Sequence, residues 1–186
     1  MESIISFDQE LFLFLNGLGN NRFDRFWMFM THRASNVLVY ISIIFLLSSK
    51  IKRKQIISLV IFGLILILVT DQLTNLFKVQ VGRLRPCFDS QLKDMVRLVK
   101  SSCGGKFSFF SGHASNSFAL AFFFGRVAKI HFKIVNVILI FTAGLISYSR
   151  IYIGVHYPLD VICGMVAGSI IGIVFYRIWE KTKYSS

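Results

Sequence analysis

No cleavable secretory leader is legible at the start of this sequence. Met1-Glu2-Ser3-Ile4-Ile5-Ser6-Phe7-Asp8 has neither a basic opening nor a small-residue cleavage site, so membrane insertion is expected to be directed by the spans themselves. Tandem repeats, low-complexity tracts and a dividing linker are also missing, which leaves residues 1–186 as one domain. Acidic residues are scarce, 9 against 21 Lys and Arg, for a net charge of +12. Nucleic acid is nevertheless not the expected partner. The basic residues fall in short tracts between apolar runs, the pattern of topology signals and not of a continuous binding face. No ligand cluster suited to a metal stands beside the chemistry-bearing residues described below, and no cofactor is expected. What is abundant is apolar: 54% of residues, with a mean hydropathy of +0.63. That is too high for an ordinary soluble domain and implies an integral membrane protein with the bilayer as its solvent.

The pattern predicts an all-α, polytopic helical bundle. Residues 1–33 contain no run approaching the roughly 20 apolar residues of a span. They read as amphipathic interfacial helices broken at Gly17-Leu18-Gly19, a structural collar. Residues 34–180 form the transmembrane core, with about five spans expected near 34–49, 56–77, 114–127, 134–147 and 158–179. Basic clusters at Lys50–Lys54, Arg126–Lys133 and Arg177–Lys183 mark the inner ends. That topology gathers the loop 78–112 and the turn at His156 on the outer face. Asp71, seven residues before Lys78, can pair with that lysine or hydrogen-bond a neighbouring helix. Gly164, Gly168 and Gly172 recur every fourth residue, a packing stripe. Cys87 and Cys103 share the outer loop and are expected to form a disulfide there.

Three constellations fall on that outer side. In Ser149-Arg150-Ile-Tyr-Ile-Gly-Val-His156-Tyr157-Pro158-Leu-Asp160, proline suits the first position of a helix, which places His156 at its mouth. Asp160, four residues on, can orient one imidazole nitrogen and leave the other free to attack. Arg150 adds a fork of donors that fits phosphate oxygens. Ser111-Gly112-His113 precedes a span, where unpaired backbone N–H groups and the positive helix end make an anion site. Lys78 and Arg85-Pro86 contribute two further cations.

In this order, with spans between them, Lys78-x6-Arg85-Pro86, Ser111-Gly112-His113 and Ser149-Arg150-x5-His156-x3-Asp160 resemble the three-part signature of the type 2 phosphatidic acid phosphatase family. The likeness covers about residues 60–180. Phe110 stands where the family usually has proline, a departure that removes no catalytic group. The resemblance implies a metal-independent membrane lipid phosphatase of the bacterial envelope. His156 would be the nucleophile that becomes phosphohistidine, Asp160 its orienting partner, and His113 the proton donor. Lys78, Arg85, Ser111, Gly112 and Arg150 would hold the phosphate oxygens. It also implies an inner-membrane location with the site facing the periplasm or exterior. Among the lipid phosphates such a family admits, undecaprenyl diphosphate is the expected substrate. The alternatives are a lipid A phosphate, phosphatidylglycerol phosphate or phosphatidate, a lipid phosphotransferase, and a non-enzymatic lipid-binding protein.

Overall fold

Long apolar runs without proline must satisfy their own backbone groups in hydrocarbon, and a helix is the local way to do so. A computed structural model of the chain describes residues 2–183, the side chains of residues 2, 33 and 183 excepted. Seven α-helices follow in order: α1 (Glu2–Gly17), α2 (Asn21–Thr31), α3 (Arg33–Ser48), α4 (Arg53–Val81), α5 (Gly112–Lys129), α6 (Lys133–Tyr152) and α7 (Pro158–Lys183). Among the described residues there is no strand, only a single antiparallel bridge between Leu84 and Phe107 in the α4–α5 loop.

Among the described residues three helices, α4, α6 and α7, are long and apolar enough to cross a membrane, and α2 with α3 qualifies as one span bent by 53°. Three or four spans therefore stand by length and hydropathy where about five were expected. The missing one is α5, and the reason is its place in the bundle. It packs against α4, α6 and α7, and buries Ala114, Ser115, Phe118, Ala121 and Phe124 along its length. A helix wrapped by others need not be lipophilic all round. The outward faces of its neighbours are: Phe45, Leu64, Ile134 and Ile170 are all largely exposed.

The glycine stripe explains how α5 and α7 come so close. A Cβ on Gly164 would stand 2.6 Å from the Ser111 carbonyl oxygen, and one on Gly168 or Gly172 would be closer still to Ser115 or Ala119. Without side chains there, the two backbones meet. This contact sets the Ser111 end of α5 against the first turn of α7.

One boundary differs from the sequence reading. Lys78 lies in the last turn of α4, not in the loop, because Val79 and Val81 carry the helix on until Gly82 (φ 65) donates its N–H to the Lys78 carbonyl at 3.1 Å. In the loop that follows, Cys87 and Cys103 are joined as a disulfide with Cα atoms 6.3 Å apart. α1 does more than form a collar. Asp8, Phe12 and Asn16 recur every fourth residue on one face and all three are buried. The Asn16 side-chain amide donates to the carbonyls of Ile151 (3.1 Å) and Tyr152 (2.9 Å), satisfying the open end of α6.

Candidate active site

Each part of the site comes from an element end. Lys78 is on the last turn of α4, Arg85 in the loop, Gly112 and His113 on the first turn of α5. Arg150 is on the last turn of α6, and His156 in the short link to α7. All six line one cavity of about 410 Å³. Ser111 and Asp160 lie behind its wall, fully buried. The hydroxyl of Ser111 has no hydrogen-bond partner among the described residues, and its backbone N–H donates to the Asp160 carbonyl at 2.9 Å.

The cations are held from behind. Arg85 donates through Nε to the Phe107 carbonyl at 3.2 Å and through Nη1 to the carbonyl of Cys103, so the disulfide-closed loop fixes its direction. Arg150 donates to the Thr31 hydroxyl at the end of α2. Three positive side chains thus converge on a partly enclosed space, an arrangement that stabilises an anion with several oxygens.

His156 is 1% exposed, and its Nδ1 stands 3.5 Å from Asp160 Oδ2, an ion-pair distance and not a hydrogen bond. Catalytic contacts of this length commonly tighten when substrate binds. The Ser108 backbone touches the same ring. Burial first, then the charges of Arg150, Arg85 and Lys78, hold the imidazole pKa well below the ordinary histidine range. The ring is therefore neutral at physiological pH, with a lone pair available for attack.

Asp160 has partners that sequence reasoning did not find. Its Oδ2 accepts the Tyr157 N–H at 3.0 Å, and its Oδ1 accepts from Arg83 Nη1 at 3.0 Å. Arg83 in turn donates to Asp8 Oδ2 at 2.6 Å and lies 3.9 Å over the Tyr157 ring. Asp8 Oδ1 accepts the Leu159 N–H at 2.8 Å, at the start of α7. A largely buried line, Asp8–Arg83–Asp160–His156, thus ties α1 to the imidazole. Arg83 belongs to none of the three sequence constellations and has no local signal to mark it. Asp8 had a signal: a carboxylate in register with two other residues on a buried helix face has to find a cation.

Asp71 takes the second of its two expected roles. It accepts a hydrogen bond from Asn116 Nδ2 on α5 at 2.8 Å and makes no ion pair with Lys78 among the described residues. A second, apolar groove of about 210 Å³ between α3, α4 and α5 shares Asn36, Val37, Tyr40, Ile67 and Leu120 with the polar cavity. The two spaces therefore adjoin, with these five residues as their common wall.

Comparison with known proteins gives the family of this arrangement. The PAP2 superfamily profile matches residues 56–184. A lipid A 4'-phosphatase of Porphyromonas gingivalis is 34% identical over 180 residues, covering 96% of this chain and 75% of that protein. The lipid A 4'-phosphatase of Bacteroides thetaiotaomicron is 33% identical over 183 residues, covering 97% and 80%. Among solved structures, Aquifex aeolicus LpxE superposes with a TM-score of 0.69 at 28% identity, over 90% of this chain and 93% of that one.

Proposed function

Because the chain belongs to the PAP2 superfamily and is a membrane lipid phosphatase of that type, we propose that it removes a phosphate monoester from a lipid A-like glycolipid. The observation that carries this reading is that a three-cation pocket holding two histidines adjoins an apolar groove between α3, α4 and α5. Phosphate suits one end, acyl chain the other. The expectation of undecaprenyl diphosphate gives way here, since two relatives matched over nearly all of this chain are lipid A 4'-phosphatases.

The site geometry supports one course of chemistry. Lys78, Arg85 and Arg150, with the Gly112 N–H, hold the equatorial oxygens, and the unpartnered Ser111 hydroxyl behind the wall reaches them only if substrate draws the start of α5 inward. The neutral His156 attacks phosphorus. The bond to the lipid oxygen breaks, and His113 supplies the proton that leaves with it. Asp160, held by Arg83, stabilises the positive charge that the imidazole gains. Water activated by His113 then cleaves the P–N bond, returning free His156 and inorganic phosphate.

The proposal includes five crossings: α2 with α3, then α4, α5, α6 and α7, with α5 shielded by its neighbours and α1 at the interface. The site then faces the exterior of an inner membrane. Accordingly, a single cysteine at position 93 should react with an impermeant thiol reagent on intact cells and one at position 52 should not. The reverse labelling contradicts the topology.

The substrate is tested by phosphate release from purified protein in lipid–detergent micelles, offered bis-phosphorylated lipid A, phosphatidylglycerol phosphate and undecaprenyl diphosphate in turn. Lipid A should be the best substrate by kcat/KM, with the rate unchanged by EDTA. Cleavage of undecaprenyl diphosphate with lipid A untouched would falsify the assignment.

A further inference from the structure

The three helices around the cavity change character in the same order as they leave the cations. On α4, residues spaced by three or four share a face, and from the site inward they read Lys78, then Thr74 and Asn75, then Asp71, then Ile67 and Leu64. On α5 the order is His113, Asn116, Leu120, Phe124, and on α3 it is Asn36, then Ile41 and Ile44. A cationic end and an apolar end are what any lipid phosphate requires. The middle band is not.

This band lies deep. Asp71 is ten residues, roughly 15 Å, inside the end of α4, in a spanning helix where an exposed carboxylate is costly and needs a reason. Helix-to-helix bonding supplies part of one: Asn116 donates to one Asp71 oxygen, and the Asn116 carbonyl accepts from Thr70. That leaves the second Asp71 oxygen, the whole Asn75 side-chain amide and the buried Thr74 hydroxyl without a hydrogen-bond partner among the described residues. Packing explains none of these three. All of them border the cavity, between the phosphate end and the acyl end.

We infer that Asp71, Thr74, Asn75 and Asn116 form a sugar-reading band, which hydrogen-bonds the hydroxyl and amide groups of a glycan ring set between the phosphate and the acyl chains. The inference rests on the phosphatase reading above and narrows it. Seven residues of helix separate Lys78 from Asp71, about 10 Å, so a polar head must extend that far before the chains begin. A polyprenyl diphosphate turns apolar at its first prenyl carbon and would press methylenes against a carboxylate and two amides, and a phosphatidate has only a short glycerol whose esters accept but cannot donate to Asp71. A site built to hydrogen-bond a head group discriminates strongly against analogues that lack it.

Two phosphate monoesters separate the claims: a diacylglucosamine phosphate, which has the ring, and a phosphatidate of matched chains, which has none. Wild-type protein should favour the glucosamine lipid by on the order of 100-fold in kcat/KM. Asp71→Leu and Asn75→Leu should each shrink that ratio by on the order of tenfold, chiefly through KM on the glucosamine lipid. Asn75 is exposed and makes no hydrogen bond among the described residues, so its replacement keeps the test open if Asp71→Leu misfolds. A ratio that stays within about twofold of wild type in Asn75→Leu, or a wild-type preference for phosphatidate, overturns the sugar-reading band while leaving the phosphatase reading intact. If wild-type protein releases phosphate from neither lipid, the phosphatase reading falls and this inference with it.

Discussion

Replacing His156 with alanine is expected to remove turnover, by on the order of 10⁵-fold or more, while the cavity still binds vanadate or phosphate. The two effects separate because different groups carry them. Lys78, Arg85 and Arg150 line the cavity independently of the imidazole, two of them fixed by carbonyl or hydroxyl partners of their own. Removing a neutral ring from among three cations leaves their charge in place. Phosphate-release assays and titration calorimetry with vanadate read the two properties on one sample. The wild-type pH profile bears on the same point. Burial and the neighbouring cations depress the His156 pKa well below the usual value near 6.5, so the nucleophile stays neutral as pH falls through 6 and activity should not drop there on its account. A variant that still releases phosphate within about tenfold of wild type would mean that water attacks directly.

His113→Ala is expected to cost about 100-fold to 10,000-fold on a lipid substrate, the range for losing a general acid. The loss depends on the leaving group. A sugar alkoxide departs poorly without a proton, whereas an activated aryl phosphate leaves as a stabilised phenolate and needs less help. The deficit should therefore be much smaller for the aryl ester, read as the ratio of kcat/KM values for the two substrates. His113 borders the same cavity as His156, but it comes from the first turn of α5 whereas His156 comes from the link to α7. Equal losses on both substrates would place His113 in binding and not in proton transfer.

The parts of this molecule that lie close in sequence were readable in advance. Pro158 starts α7, Ser111 precedes α5, and Gly164, Gly168 and Gly172 do face another helix, because proline chemistry, helix ends and residue spacing are local matters. The convergence of Lys78, Gly112, Arg150 and His156 on one cavity was foreshadowed by the motif order alone. What stayed hidden depends on distant partners. Arg83 gains meaning only when Asp8, 75 residues earlier, and Asp160, 77 residues later, close around it. Likewise residues 114–127 were expected to be one span among five, yet α5 is the helix that α4, α6 and α7 pack around, and sequence alone does not say which helix is central. Asp71 showed the same limit. Its face of α4 was legible, but the choice between Lys78 and Asn116 required the register of α4 against α5.

The central claim is covalent: phosphate passes through His156. Wild-type protein mixed with a lipid phosphate, quenched in base within the first turnover and digested should carry a phosphoryl group on the peptide containing His156. That adduct should be stable to alkali, lost in acid, and absent from His156→Ala. Steady release of inorganic phosphate with no adduct on that peptide at any quench time, together with residual hydrolysis by His156→Ala, would contradict the account.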